Sequence, residues 1–162
     1  MNRNGFTLIE LVMLLVLIGI IAAFVAPRLG NVTSTKAGAF RDKLRADIRY
    51  AQNLAMTESR RYRVYINTAP SPMPNGYAVV NDLNSDGWGA TGGNEYAADP
   101  AGGGNLSVTL NVGKYADITV SMLPAVGFIE FNSLGAPTTA VTLMITPGSQ
   151  TVTITAQTGA VN

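Results

Sequence analysis

Asp82, Asn84 and Asp86 place three oxygen-bearing side chains at alternate positions ahead of Gly87, the D-x-N-x-D-G pattern that opens a calcium loop. Donors at that spacing can converge on one ion because the glycine permits a sharp turn. A complete loop of the EF-hand type wants a glutamate where Gly93 stands; Glu95 and Asp99 follow it. The carboxylates of Asp82, Asp86, Glu95 and Asp99 have no lysine or arginine among them, so they repel one another unless solvated or bridged by a cation. Two readings stand open: a Ca2+ site built from Asp82, Asn84, Asp86, Glu95 and Asp99, or an Asx/Gly turn without metal. No cofactor is otherwise required. Trp88 and Tyr96, in the same stretch, either pack the loop onto the rest of the chain or stand out as contact points.

The remaining composition removes most catalytic chemistry. There are no cysteines and no histidines among the 162 residues, which excludes disulfides, thiol nucleophiles, Cys/His zinc sites and imidazole acid/base catalysis. Asp82, Asp86, Glu95, Asp117 and Glu130 are too scattered to define a carboxylate pair, so the chain reads as a non-enzyme.

Charge is divided along the sequence. Residues 28–63 carry Arg28, Lys36, Arg41, Lys43, Arg45, Arg49, Arg60, Arg61 and Arg63 against three acidic groups, a net of +6. After Arg63, one lysine opposes six carboxylates, a net of −5. Arg41, Lys43, Arg45 and Arg49 are candidate contacts for nucleic acid or for another subunit, with a solvated helix face as the alternative.

One further charge stands out. Residues 6–26 contain a single ionisable group, Glu10, in an otherwise apolar run of 21 residues. At 1.5 Å per residue such a helix covers about 30 Å, the hydrocarbon thickness of a bilayer. A transmembrane helix is the expectation; a cleaved secretory signal is the competitor, and no clear A-x-A cleavage site supports it. A carboxylate in hydrocarbon costs several kcal/mol, roughly 2.5–3.5 on insertion scales for a comparable aspartate. The run offers no basic residue, so the partner expected for Glu10 is another molecule or a terminus made by processing, unless Glu10 snorkels to the interface. Charges flanking the run leave its orientation open.

GFTLIEL at residues 5–11, behind the short polar leader MNRN and ahead of the apolar run, resembles the processing site of type IV pilins and type II secretion pseudopilins. The resemblance implies that a prepilin peptidase cuts between Gly5 and Phe6 and methylates the new amino terminus on Phe6. It implies that Glu10 pairs with the amine of a neighbouring subunit, a contact valued for register as much as for energy. Gly19 and Pro27 fall where that family's helix loosens during assembly, consistent with their weak intrinsic support for helix. The implied partners are the peptidase, other pilin or pseudopilin subunits in a helical filament, and an inner-membrane assembly platform. The implied location is a single-pass inner-membrane protein with a periplasmic head, later part of a pilus or pseudopilus.

Beyond the run, Ala37, Phe40, Leu44, Ile48, Ala51 and Ala55 recur at three- and four-residue intervals, predicting an amphipathic helix to about Ser59 with that face packed on a sheet. From Arg61 the period becomes 2. Strands are predicted at 64–66, 77–80, 106–112, 118–122, 128–131, 140–145 and 152–155, separated by Gly- and Pro-rich turns. The fold class expected is α+β and pilin-like: a long N-terminal helix, transmembrane in its first half and amphipathic in its second, on an antiparallel sheet or small β-sandwich. The divisions are 1–5 leader, 6–26 transmembrane helix, 27–60 amphipathic helix and 61–162 β-rich head.

The stretches LRADIRYAQNLAMTESRRYRVYI, VGFIEFNSLGAPTT and TVTITAQTGAV resemble the minor pseudopilin H and FimT-like minor pilin group. That group often ends in a Gly-Arg-Val-like tail, and alanine at 160 replaces the arginine between Gly159 and Val161, so a DNA-gripping tail is not carried over. The function implied is a minor subunit assisting filament initiation or tip formation. A major pilin, or a DNA-binding adhesive minor pilin, is the alternative.

Overall fold

The computed structural model describes residues 7–29, 31–68, 75–83, 88 and 95–162, with side chains omitted at 25–29 and 31–33. Two helices lead the chain, α1 (Leu8–Leu29) and α2 (Asn31–Thr57). The head follows with β1 (Tyr62–Ile66), β2 (Gly76–Asn81), β3 (Glu95–Tyr96), β4 (Ser107–Thr109), a 3-10 turn (Gly113–Tyr115), β5 (Thr119–Leu123), β6 (Phe128–Phe131), β7 (Val141–Thr146) and β8 (Gln150–Ile154).

The strands form two antiparallel sheets. The first runs β3-β2-β1-β6, with β4 also paired to β2; the second runs β5-β7-β8. Beyond β8 the tail turns back, and Val161 bridges Ile154 as a final short edge. Alternation makes the second sheet one-sided: Val141, Leu143, Ile145, Val152 and Ile154 are buried, while Met144, Thr146, Thr151 and Thr153 are exposed.

The periodic face of α2 is the keel of the core. Ala37, Phe40, Leu44, Ile48, Ala51 and Ala55 all have 0% exposure and join one cluster with inward residues of both sheets. The expected stripe is thus observed in full, because a 3.6-residue period can bury one face only by packing it against something. The helix stops two residues before the expected Ser59, which has φ +51, a left-handed value incompatible with continuing the helix. The strand expected over 106–112 shrinks to three residues, since Asn111 at φ +61 breaks it.

The transmembrane first half of the expected helix is corrected. Among the described residues, no helix is long and apolar enough to cross a membrane. The part of α1 with described side chains, residues 8–24, is apolar apart from Glu10. The single-pass inner-membrane location rested on that span and is withdrawn with it. α1 itself continues through Pro27 to Leu29.

Candidate subunit-contact surfaces

Every described side chain of α1 is exposed, from Leu8 at 82% to Phe24 at 73%. Among the described residues, nothing in the head covers these side chains. Val12, Met13, Val16, Leu17 and Ile20 line a shallow apolar groove, at the i, i+1, i+4, i+5 and i+8 positions that share one helix face. Thr7 closes the N-terminal end: its carbonyl and Oγ1 accept from the Glu10 N–H at 3.1 and 3.4 Å. Glu10 therefore sits in the first turn, where exposed backbone N–H groups favour a negative charge. Among the described residues no cation pairs with its carboxylate. A Cβ at Gly19 would meet open space. Gly5 and Phe6 lie outside the described residues.

The four basic candidates on α2 divide between two flanks. Arg41, Arg45 and Arg49, spaced four apart, lie toward the second sheet: Arg41 donates to Gln150 Oε1 at 2.8 Å, and Arg45 and Arg49 both donate to the Val161 carbonyl, at 3.4 and 2.7 Å. Gln52 extends the row by donating to the Gly135 carbonyl at 2.8 Å. Lys43 points toward the first sheet and binds Asp47 at 2.8 Å, which also accepts from the Tyr77 hydroxyl. Burial, and then the Asp47 carboxylate, push the Tyr77 phenol well above its ordinary pKa.

The acidic candidates are not gathered. Asp82 faces Arg61 at 3.8 Å, and the Glu95 carboxylate accepts the Leu83 N–H across the base of the loop. Asp99 belongs to a separate turn, where Oδ1 accepts from the Ala101 N–H at 2.9 Å. Asn84 and Asp86 lie outside the described residues. Among the described residues no group of three or more acidic side chains is placed to hold a metal ion.

One cluster escaped the sequence reading. Arg63 on β1 is registered opposite Glu130 on β6, and its Nε donates to Glu130 Oε2 at 2.6 Å. Its guanidinium lies between the Phe128 and Trp88 rings, 4.1 and 4.2 Å from their centroids, and donates to the Tyr65 hydroxyl at 3.0 Å. Arg61 adds a second contact to Glu130 at 3.5 Å. The available signal was Arg61, Arg63 and Tyr65 at i, i+2 and i+4, one face of a strand. Trp88 is thereby packed on the head rather than held out as a contact point.

No family model and no curated protein matches the chain. Solved structures do. The type IV minor pilin FimU of Pseudomonas aeruginosa, strain PAO1, aligns over 79% of this chain and 87% of its own at 18% identity, with a TM-score of 0.52. A second crystal form of FimU gives 17% identity, 77% and 90% coverage and a TM-score of 0.48. The minor pseudopilin EpsH of the Vibrio cholerae type 2 secretion system gives 14% identity, 78% and 94% coverage and 0.49. The chain has the fold of a type IV minor pilin.

Proposed function

We propose that this chain is a structural, non-catalytic subunit of a type IV pilus or type II secretion pseudopilus, and within that class a minor subunit of the pseudopilin H and FimT-like group, acting at filament initiation or at the tip. The observation that carries the reading is the pairing of a minor-pilin-type head with an apolar helix whose described side chains are all exposed and whose first turn holds Glu10, a carboxylate with no cation partner among the described residues. An apolar helix exposed on all sides has a large favourable free energy available from association with like helices. Residues 5–11, GFTLIEL, supply the processing signal: a prepilin peptidase releases Phe6 as the methylated amino terminus, and that amine is the partner for Glu10 of a neighbouring subunit. The partners are other pilin or pseudopilin subunits and the machinery that assembles them.

Co-expression with a prepilin peptidase and mass spectrometry test the processing. The expected mass loss corresponds to residues 1–5 with one added methyl group, and replacement of Gly5 by a bulky residue abolishes it; unchanged processing of that variant overturns the assignment. Assembly is tested with Glu10→Leu, expected to be processed normally yet excluded from filaments. Low stoichiometry in purified filaments separates a minor from a major subunit.

A further inference from the structure

The second sheet closes one of its edges with its own chain and leaves the other open. Beyond β8, Thr153 exchanges two backbone hydrogen bonds with Asn162, at 3.0 and 2.9 Å, so the tail occupies that edge. In the first sheet β2 carries β3 and β4 on its outer side, and β6 is met by Pro137 and by the Thr138 N–H, which donates to the Glu130 carbonyl at 2.9 Å. Among the described residues no strand lies outside β5.

Register decides which β5 groups this leaves. In an antiparallel pair the N–H and C=O of one residue point to the same side, and successive residues alternate. The Val120 carbonyl accepts from Asn67 Nδ2 at 2.7 Å, on the side away from β7, so Val120 and Met122 face outward while Thr119, Ser121 and Leu123 bond to β7. Asn67 is committed at both ends, since its Oδ1 accepts the Gly76 N–H at 3.0 Å. Three groups then have no partner among the described residues: the N–H of Val120 and both the N–H and the C=O of Met122.

Val120 and Met122 also line a groove of about 310 Å3, together with Ile66, Asn67, Thr68 and Gly127, and none of its lining residues is charged. Leu123 and Val126, adjoining the groove in sequence, are exposed. β5 reads TVSML and has none of the lysine, proline or inward-pointing charge that shields an exposed edge.

We propose that this edge receives an extended, uncharged peptide segment of an unlike chain, which adds a strand to β5-β7-β8. In that mode of recognition backbone pairing supplies the affinity and a groove takes alternate side chains. A residue opposite Met122 exchanges two hydrogen bonds with it, and the residue two positions along accepts from the Val120 N–H, so all three groups are satisfied. A second copy fits less well. Two β5 edges placed antiparallel make only two bonds, because each Val120 carbonyl is held by Asn67 and Pro124 has no N–H. Under the filament-subunit reading, on which the identity of the donor rests, the segment belongs to a different subunit, as suits a minor component seated among unlike neighbours.

Backbone amide exchange of the full-length chain in mild detergent, followed by NMR, tests the edge. In the chain alone the Val120 and Met122 amides are expected to exchange rapidly and that of Ser121, bonded to β7, slowly. The probe is a capped nonapeptide of alternating threonine and valine, N-methylated at every second residue so that one edge pairs and the peptide does not stack on itself. It is expected to slow exchange at Val120 and Met122. The same peptide methylated at every residue has no N–H for the Met122 carbonyl and is expected to bind about tenfold more weakly. Protection of Val120 and Met122 already present in the chain alone, whether from its own segments or growing with concentration as two copies pair, overturns the proposal. So does failure of the half-methylated peptide to protect them, or equal protection by the fully methylated one. The measurement needs neither processing nor filament assembly, so its failure is distinct from failure of the Gly5 and Glu10 tests.

Discussion

Tyr77 on β2 donates its hydroxyl proton to Asp47 Oδ2 on α2 at 2.5 Å, and Lys43 donates to the same oxygen at 2.8 Å. This is the polar point in an otherwise apolar seam, because Tyr77 is 1% exposed and Phe40 packs against its ring with centroids 6.1 Å apart. A buried carboxylate left with fewer donors is costly, so the pair fixes how α2 is seated along the sheet. Tyr77→Phe keeps the ring and deletes the hydrogen bond to a charged group, with an expected loss of about 1.5–3 kcal/mol. Urea denaturation measures it, and a midpoint equal to that of the parent chain contradicts the role.

The same phenol makes stability fall at high pH. Burial raises Tyr77 far above its ordinary value, and burial likewise lifts Tyr62 to about 12 from 10.0. A raised folded pKa means that the folded state holds its proton where the unfolded state has released it. The contribution is complete below about pH 10 and is lost as pH rises through the folded values. Thermal melts between pH 9 and pH 12 are expected to show declining stability, with a shallower decline in Tyr77→Phe. Equal slopes would show that other groups govern alkaline unfolding.

Two glycines give opposite expectations for the same substitution. Gly159 has φ +66 and its missing Cβ would overlap Gln52 Nε2 and the Gly135 carbonyl, so Gly159→Ala must displace the tail; a loss of about 1–3 kcal/mol follows. Gly38 lies inside α2 with nothing within 4 Å of a Cβ. There alanine removes unfolded-state freedom without a clash, for a gain of about 0.5–1 kcal/mol. Calorimetry of the two variants should move the melting temperature in opposite directions.

These expectations also mark how far the sequence could be read. The α2 stripe was legible because Phe40, Leu44 and Ile48 repeat within one helix, where local geometry alone decides which side chains share a face. β6 was legible for a similar reason: the FIEF run at 128–131, apolar but for Glu130, is bounded by turn residues. β3 is two residues long and carries too little pattern to announce itself. The Arg63–Glu130 pairing joins residues 67 apart, and strand register over that separation is set by the whole head. Similarly, the carbonyl bound by Arg45 and Arg49 belongs to the backbone, which no side-chain pattern reveals. The apolar run misleads in the other direction: a count of its apolar residues predicts a span, whereas among the described residues no helix is long and apolar enough to cross a membrane.

Glu130 offers the last test, since it is 7% exposed and holds both Arg63 and Arg61. Its charge anchors the guanidinium on which Trp88, the sole tryptophan, stacks. Glu130→Gln retains the shape and one acceptor but removes the charge, leaving Arg63 partly buried beside a weaker partner. The expected loss is about 1–3 kcal/mol in urea denaturation. Because the Arg63 side chain is also the platform for the indole, loosening it exposes the ring to water, and Trp88 emission should shift to longer wavelength before global unfolding. A conservative change that altered stability but left the emission unmoved would separate the ion pair from the aromatic stack. If both were unchanged, the Arg63–Glu130 contact would be an incidental surface pair of the kind that contributes little.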